Sequence, residues 1–107
     1  LRPSLYGAYH AVLPYKKAAK STVYDVVGPI CETGDTFLTG ERLPKLKQGD
    51  LVAIMTSGAY GAVMASNYNT RPFATEVMVK GKKAARVRKT QKAEDVINKD
   101  IVPGWAA

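Results

Sequence analysis

The chain holds one cysteine and one histidine in 107 residues. A lone thiol cannot close an internal disulfide, which suits a reducing compartment. One Cys and one His cannot build a closed zinc site of nitrogen and sulfur ligands. No apolar run approaches the roughly 18 residues of a membrane-spanning helix, and no signal peptide is expected before the first patterned segment. Acids are missing from Val77 to Ala93, and aromatics from Glu76 to Pro103.

What is present is basic. The formal net charge is +7, and seven of the cations fall between Lys80 and Lys92: Lys80, Lys82, Lys83, Arg86, Arg88, Lys89 and Lys92. Such a cluster reads either as a solvated hairpin or as a face for nucleic acid. The missing aromatics remove a stacking platform for bases and favour the hairpin. Arg86-Val87-Arg88 alternates as a half-buried strand does.

The length suits one domain with one core, residues 1–107. Leu5 to Leu13 is predicted as a strand stopped by Pro14. Ser21 to Ile30 is predicted as a second strand, with Gly28-Pro29 near its end. Thr36 to Gly49 reads mostly as loop. Leu51 to Met55 reads as a short strand buried on both faces. The small residues of "SGAYGAVMASNYN" suit a short helix near 58–66. Ala74–Val79 and Lys83–Arg88 flank Gly81 as a hairpin. A C-terminal helix is expected near 92–99, with Glu94 and Asp95 at its start and Val96 and Ile97 facing inward. The fold class is therefore mainly β, a sandwich or barrel-like domain of about five strands.

Four groups could carry chemistry. Arg2 and Tyr6 in "RPSLY" offer a planar donor fork and a hydroxyl to a carboxylate, or are a surface arginine and a packed tyrosine. In "GPICETGD", Cys31 stands beside Glu32. A neighbouring carboxylate opposes thiolate formation, favouring a thiol that keeps its proton and donates it later; the alternative is a small residue at a strand end. "SGAYG" sets Tyr60 between glycines that allow close backbone approach, or is a tight strand-to-helix turn. Asn67, Asn69 and Arg71 read as groups that end the helix, and His10 as a satisfied core histidine.

Together "RPSLYGAYH", "GPICETGD" and "GAYGAVMASNYNTRP" resemble the C-terminal part of the diaminopimelate decarboxylases. These are pyridoxal-phosphate enzymes of fold type III, with an alanine-racemase-like architecture. The resemblance implies a C-terminal β domain whose N-terminal (β/α)8 barrel, carrying the cofactor lysine, is absent. It implies a cytoplasmic homodimer with active sites where one subunit's barrel meets the other's β domain. The substrate would be meso-2,6-diaminopimelate and the product L-lysine, with no nucleic acid or membrane as partner. By the same resemblance Arg2 and Tyr6 bind the substrate's distal end and Glu32 its distal ammonium. Cys31 is the proton donor in a neighbouring subunit's site, and Tyr60 contacts cofactor and substrate. Thr33 stands where the family commonly has serine and keeps the hydroxyl. Relatives acting on ornithine or arginine typically have Asp after the cysteine, so Glu32 favours diaminopimelate. The chain alone is expected to be inactive and, with a sheet edge uncovered, to self-associate.

Overall fold

The computed structural model describes residues 1–106. The chain divides into two compact units, Leu1–Ala65 and a second from Ser66 onward. Regular structure is mainly β, in three two-stranded antiparallel sheets with short helices between them and no closed barrel among the described residues.

The first unit opens with helix α1, Pro3–Tyr6. The expected strand from Leu5 does not start there. Pro3 sits in the first turn, where its missing N–H costs nothing, and Gly7 closes the turn at φ +61°. That left-handed value suits glycine. Strand β1 is confined to Val12–Pro14 and pairs with β4, Val52–Ile54, in the register Val12↔Ile54 to Pro14↔Val52.

Strand β2 runs Ser21–Val27, ending before Gly28-Pro29, and pairs with β3, Thr36–Pro44. The nine residues of β3 fall where a loop was expected. Its apolar residues hide the strand from a period-two reading. Leu38 and Leu43 are five apart, so a regular strand would send them to opposite faces. The register slips between Tyr24 and Val26. There Gly40 takes φ +69° and its N–H donates to the Asp25 carboxylate at 2.8 Å. This bulge returns both leucines to one face.

Val12, Leu38 and Leu43 are the buried core of this unit, and Tyr24, Val26 and Ile54 pack against them. The core thus joins the two ladders. Tyr24 satisfies its hydroxyl by accepting the Leu46 N–H at 2.8 Å. Strand β4 has one neighbour only, so the expected burial of both its faces is not found. Leu51 is 70% exposed, Val52 is exposed, and only Ile54 turns partly into the core. The chain continues into α2, Gly58–Val63. Ser57 stands at its start, with its hydroxyl donating back to the Ile54 carbonyl at 2.8 Å.

In the second unit, β5 (Val77–Lys80) and β6 (Lys83–Arg86) form the expected hairpin, with Gly81 at φ +58° in a two-residue turn. Both strands are exposed along their whole length. The half-burial read from Arg86-Val87-Arg88 is not found, since Val87 is 54% exposed. Arg88 instead ion-pairs with Glu76 at 2.8 Å and lies over the Phe73 ring. Asn67 donates to the Arg71 carbonyl at 2.9 Å and to the Gln91 side-chain oxygen at 2.8 Å, whereas α2 already ends at Val63, so Asn67 is not the group that ends that helix. Helix α3 is Ala93–Ile97. The Asp95 carboxylate accepts the Lys92 N–H at 2.8 Å at its start. Val96 is half-buried, but Ile97 is 55% exposed, so the expected inward pair is reduced to one.

Candidate functional site

Two neighbouring features of the first unit collect the residues singled out by sequence. The first is a cleft of about 370 Å³ lined by Leu1, Arg2, Pro3, Tyr6, Ala8, His10, Tyr60 and Met64. Helix α1 supplies Tyr6, with Arg2 just before it, and α2 supplies Tyr60. Residues more than fifty apart in sequence therefore share one wall. Tyr60 is 67% exposed, and a Cβ built at Gly58 or Gly61 would meet nothing within 4 Å. The backbone beside the tyrosine is open to a ligand.

His10 lies on the wall of this cleft and is half-buried, outside the core where it was expected. Its Nδ1 is 3.0 Å from the Met55 carbonyl. A carbonyl only accepts, so Nδ1 carries the proton. His10 was missed as a site residue because its position beside Tyr60 depends on the β1–β4 pairing.

The second feature is the loop between β2 and β3. Cys31 is exposed on it, and Glu32 is half-buried. Neither lines the cleft. Arg2 connects the two features: its guanidinium is 3.4 Å from the Glu32 carboxylate, with the side chains 47% and 31% exposed. The Ser4 hydroxyl also donates to the Gly34 carbonyl at 3.3 Å. Helix α1 is thereby fastened to the loop at two points. Arg2, Tyr6 and Tyr60 are brought together directly, Glu32 joins them through Arg2, and Cys31 stands one residue away.

Chemically, this is a guanidinium paired with a carboxylate, the guanidinium on the wall of a cleft that Tyr6 and Tyr60 also line. It presents a cation and an anion within reach of one small zwitterion. Among the described residues no group of three or more His, Cys, Asp and Glu is placed to hold a metal ion. No helix among them is long and apolar enough to cross a membrane.

Residues 1–58 match the family described as pyridoxal-dependent decarboxylase, C-terminal sheet domain. The chain belongs to this family. Similar proteins extend the likeness beyond the sheet-domain match. The diaminopimelate decarboxylase of Zymomonas mobilis is 47% identical over 98% of this chain, and that of Archaeoglobus fulgidus 45% over 98%. The chain spans about a quarter of the length of these relatives, 25% and 26%. Among solved structures, the diaminopimelate decarboxylase of M. jannaschii superposes with a TM-score of 0.90 at 37% identity, over 99% of this chain and 24% of that one. The Helicobacter pylori enzyme, crystallised with L-lysine, gives 0.81 at 44%, over 91% and 24%. The mainly β architecture with its short helices is thus that of a decarboxylase sheet domain.

Proposed function

We propose that the chain is the C-terminal β domain of a diaminopimelate decarboxylase, working with its own N-terminal barrel in a cytoplasmic homodimer. The whole enzyme would convert meso-2,6-diaminopimelate to L-lysine and carbon dioxide. The observation that carries this reading is the Arg2–Glu32 pair at 3.4 Å beside Tyr6. The unreacted end of diaminopimelate is an amino-acid zwitterion. Its carboxylate suits the Arg2 fork and the Tyr6 hydroxyl, and its ammonium suits Glu32. A substrate without a distal carboxylate would offer the Arg2 fork nothing to bind, which disfavours an ornithine- or arginine-type activity.

Pyridoxal phosphate, when bound, supplies the electron sink that lets the α-carboxylate leave. The Tyr60 hydroxyl and the open backbone at Gly58 and Gly61 fit one edge of such a group. In this reading the N-terminal barrel provides the cofactor's lysine, and Cys31 delivers a proton to the substrate's Cα in the neighbouring subunit's site. Its exposure on a short loop suits a group that must reach across an interface.

The test is Cys31→Ala in the full-length enzyme. Turnover should fall by about 100-fold or more, the usual scale for loss of a proton-transfer group, while the fold is kept. Near-normal lysine production would overturn the role given to Cys31.

A further inference from the structure

The turn that carries Cys31 is held at its neck by one residue. Val27↔Thr36 is the last ladder pair of β2 and β3, and the next pair outward is Gly28 and Asp35. The Gly28 N–H donates to the Asp35 carbonyl at 2.8 Å and closes the neck of the loop. Inside the neck the chain makes a three-residue turn: the Glu32 N–H donates to the Ile30 carbonyl at 2.8 Å, with Cys31 at its centre.

Asp35 holds both sides of that turn. Its carboxylate accepts the Ile30 N–H at 2.8 Å, and its own N–H donates to the Glu32 carbonyl at 3.0 Å. The residues before and after Cys31 are therefore both tied to Asp35. Gly28 makes room for this: a Cβ built there would fall on the Asp35 carboxylate. Since Gly28 does not have a positive φ, the glycine is required by the carboxylate's place and not by its own backbone.

We propose that Asp35, lodged against Gly28, is the positioning residue that fixes the Cys31 thiol for proton delivery. The proposal rests on the reading of Cys31 given above. Asp35 touches neither substrate nor cofactor in this account; it acts through the thiol. An error of about 1 Å in a reacting group can cost about 100-fold in rate, so a gripped turn matters more here than on an ordinary surface loop.

The test is a cycle in the full-length enzyme: Asp35→Ala, Asp35→Asn, Cys31→Ala and the Asp35→Ala/Cys31→Ala double variant, assayed with meso-diaminopimelate. Asp35→Ala should lower kcat by about 10- to 100-fold with KM changed by less than about threefold. Asp35→Asn keeps an oxygen for the Ile30 N–H and should restore most of kcat. In the Cys31→Ala background, Asp35→Ala should cost nothing further. Equal losses in both backgrounds would show a general structural role and overturn the proposal, as would wild-type kcat in Asp35→Ala.

A second measurement separates this proposal from the function reading. Cys31 is the only thiol of this chain, so its alkylation by neutral iodoacetamide reads its placement without catalysis. Asp35→Ala should change that rate several-fold, and Asp35→Asn should restore it although the charge is gone. An unchanged rate refutes the grip. A changed rate together with an active Cys31→Ala enzyme refutes the proton-donor role and leaves the grip standing.

Discussion

Glu32→Gln separates the resting ion pair seen in the structure from the substrate role proposed for the same carboxylate. The substitution keeps the side chain's shape and removes its charge. At rest, that charge pairs with Arg2 at 3.4 Å, with both side chains partly in solvent. A pair so exposed contributes about 0.2–1 kcal/mol. With substrate bound, Glu32 would instead hold an ammonium, and a hydrogen bond to a charged group is worth about 1.5–3 kcal/mol. Freeing Arg2 returns the smaller quantity, so the net loss is about 1.5 kcal/mol, near tenfold in kcat/KM. The sign is what decides. If Glu32 served only as Arg2's resting partner, removing its charge would free Arg2 for the substrate carboxylate and kcat/KM would rise. The assay is steady-state decarboxylation of meso-diaminopimelate by the full-length enzyme, with thermal unfolding as a control. A kcat/KM at or above wild type, in a variant of normal stability, would refute substrate recognition by Glu32.

Two further outcomes concern this chain's own stability. Leu43 is among the few buried apolar residues, so Leu43→Ala should cost about 2–4 kcal/mol in urea unfolding. Leu51→Ala, at a side chain 70% exposed, should stay within about 0.5 kcal/mol; equal effects would mean the core is misplaced. Asp50 accepts the Lys47 N–H at 2.8 Å and faces the Lys16 ammonium at 3.5 Å. The Lys47 hydrogen bond, outweighing partial desolvation and aided by Lys16, holds its carboxyl below the ordinary 3.8. A depressed folded value means stabilisation that is complete above the unfolded value and lost as pH falls through the folded one. Carboxyl titration by NMR should place Asp50 below 3.8, and Asp50→Asn should remove that part of the acid-side loss; a midpoint at or above the ordinary value would contradict the contact.

Much of the architecture was legible where the signal is local. Gly81 between two β-rich runs marks its hairpin, Ser57 marks the start of α2, and Glu94 and Asp95 mark α3. The spelling around Cys31 and Tyr60 was enough to point to the family. The failures also have local causes. Pro3 and Gly7 bracket a helical turn inside a run that looks like strand by composition. The bulge at Gly40 changes the parity of β3, so a period-two count reads a nine-residue strand as loop. His10 was placed in a core because nothing near it in sequence reveals the cleft.

By itself the sequence determined which residue types were available and where the chain must turn, because turn and cap chemistry acts between near neighbours. Only the tertiary structure decided that Arg2 meets Glu32 and that Tyr60 faces the same cleft as Tyr6. It alone decided that Asp35 fills the space Gly28 leaves beside the thiol's turn. Ion pairs and shared walls depend on where distant segments cross, and those crossings follow from ladder register and burial across the whole unit.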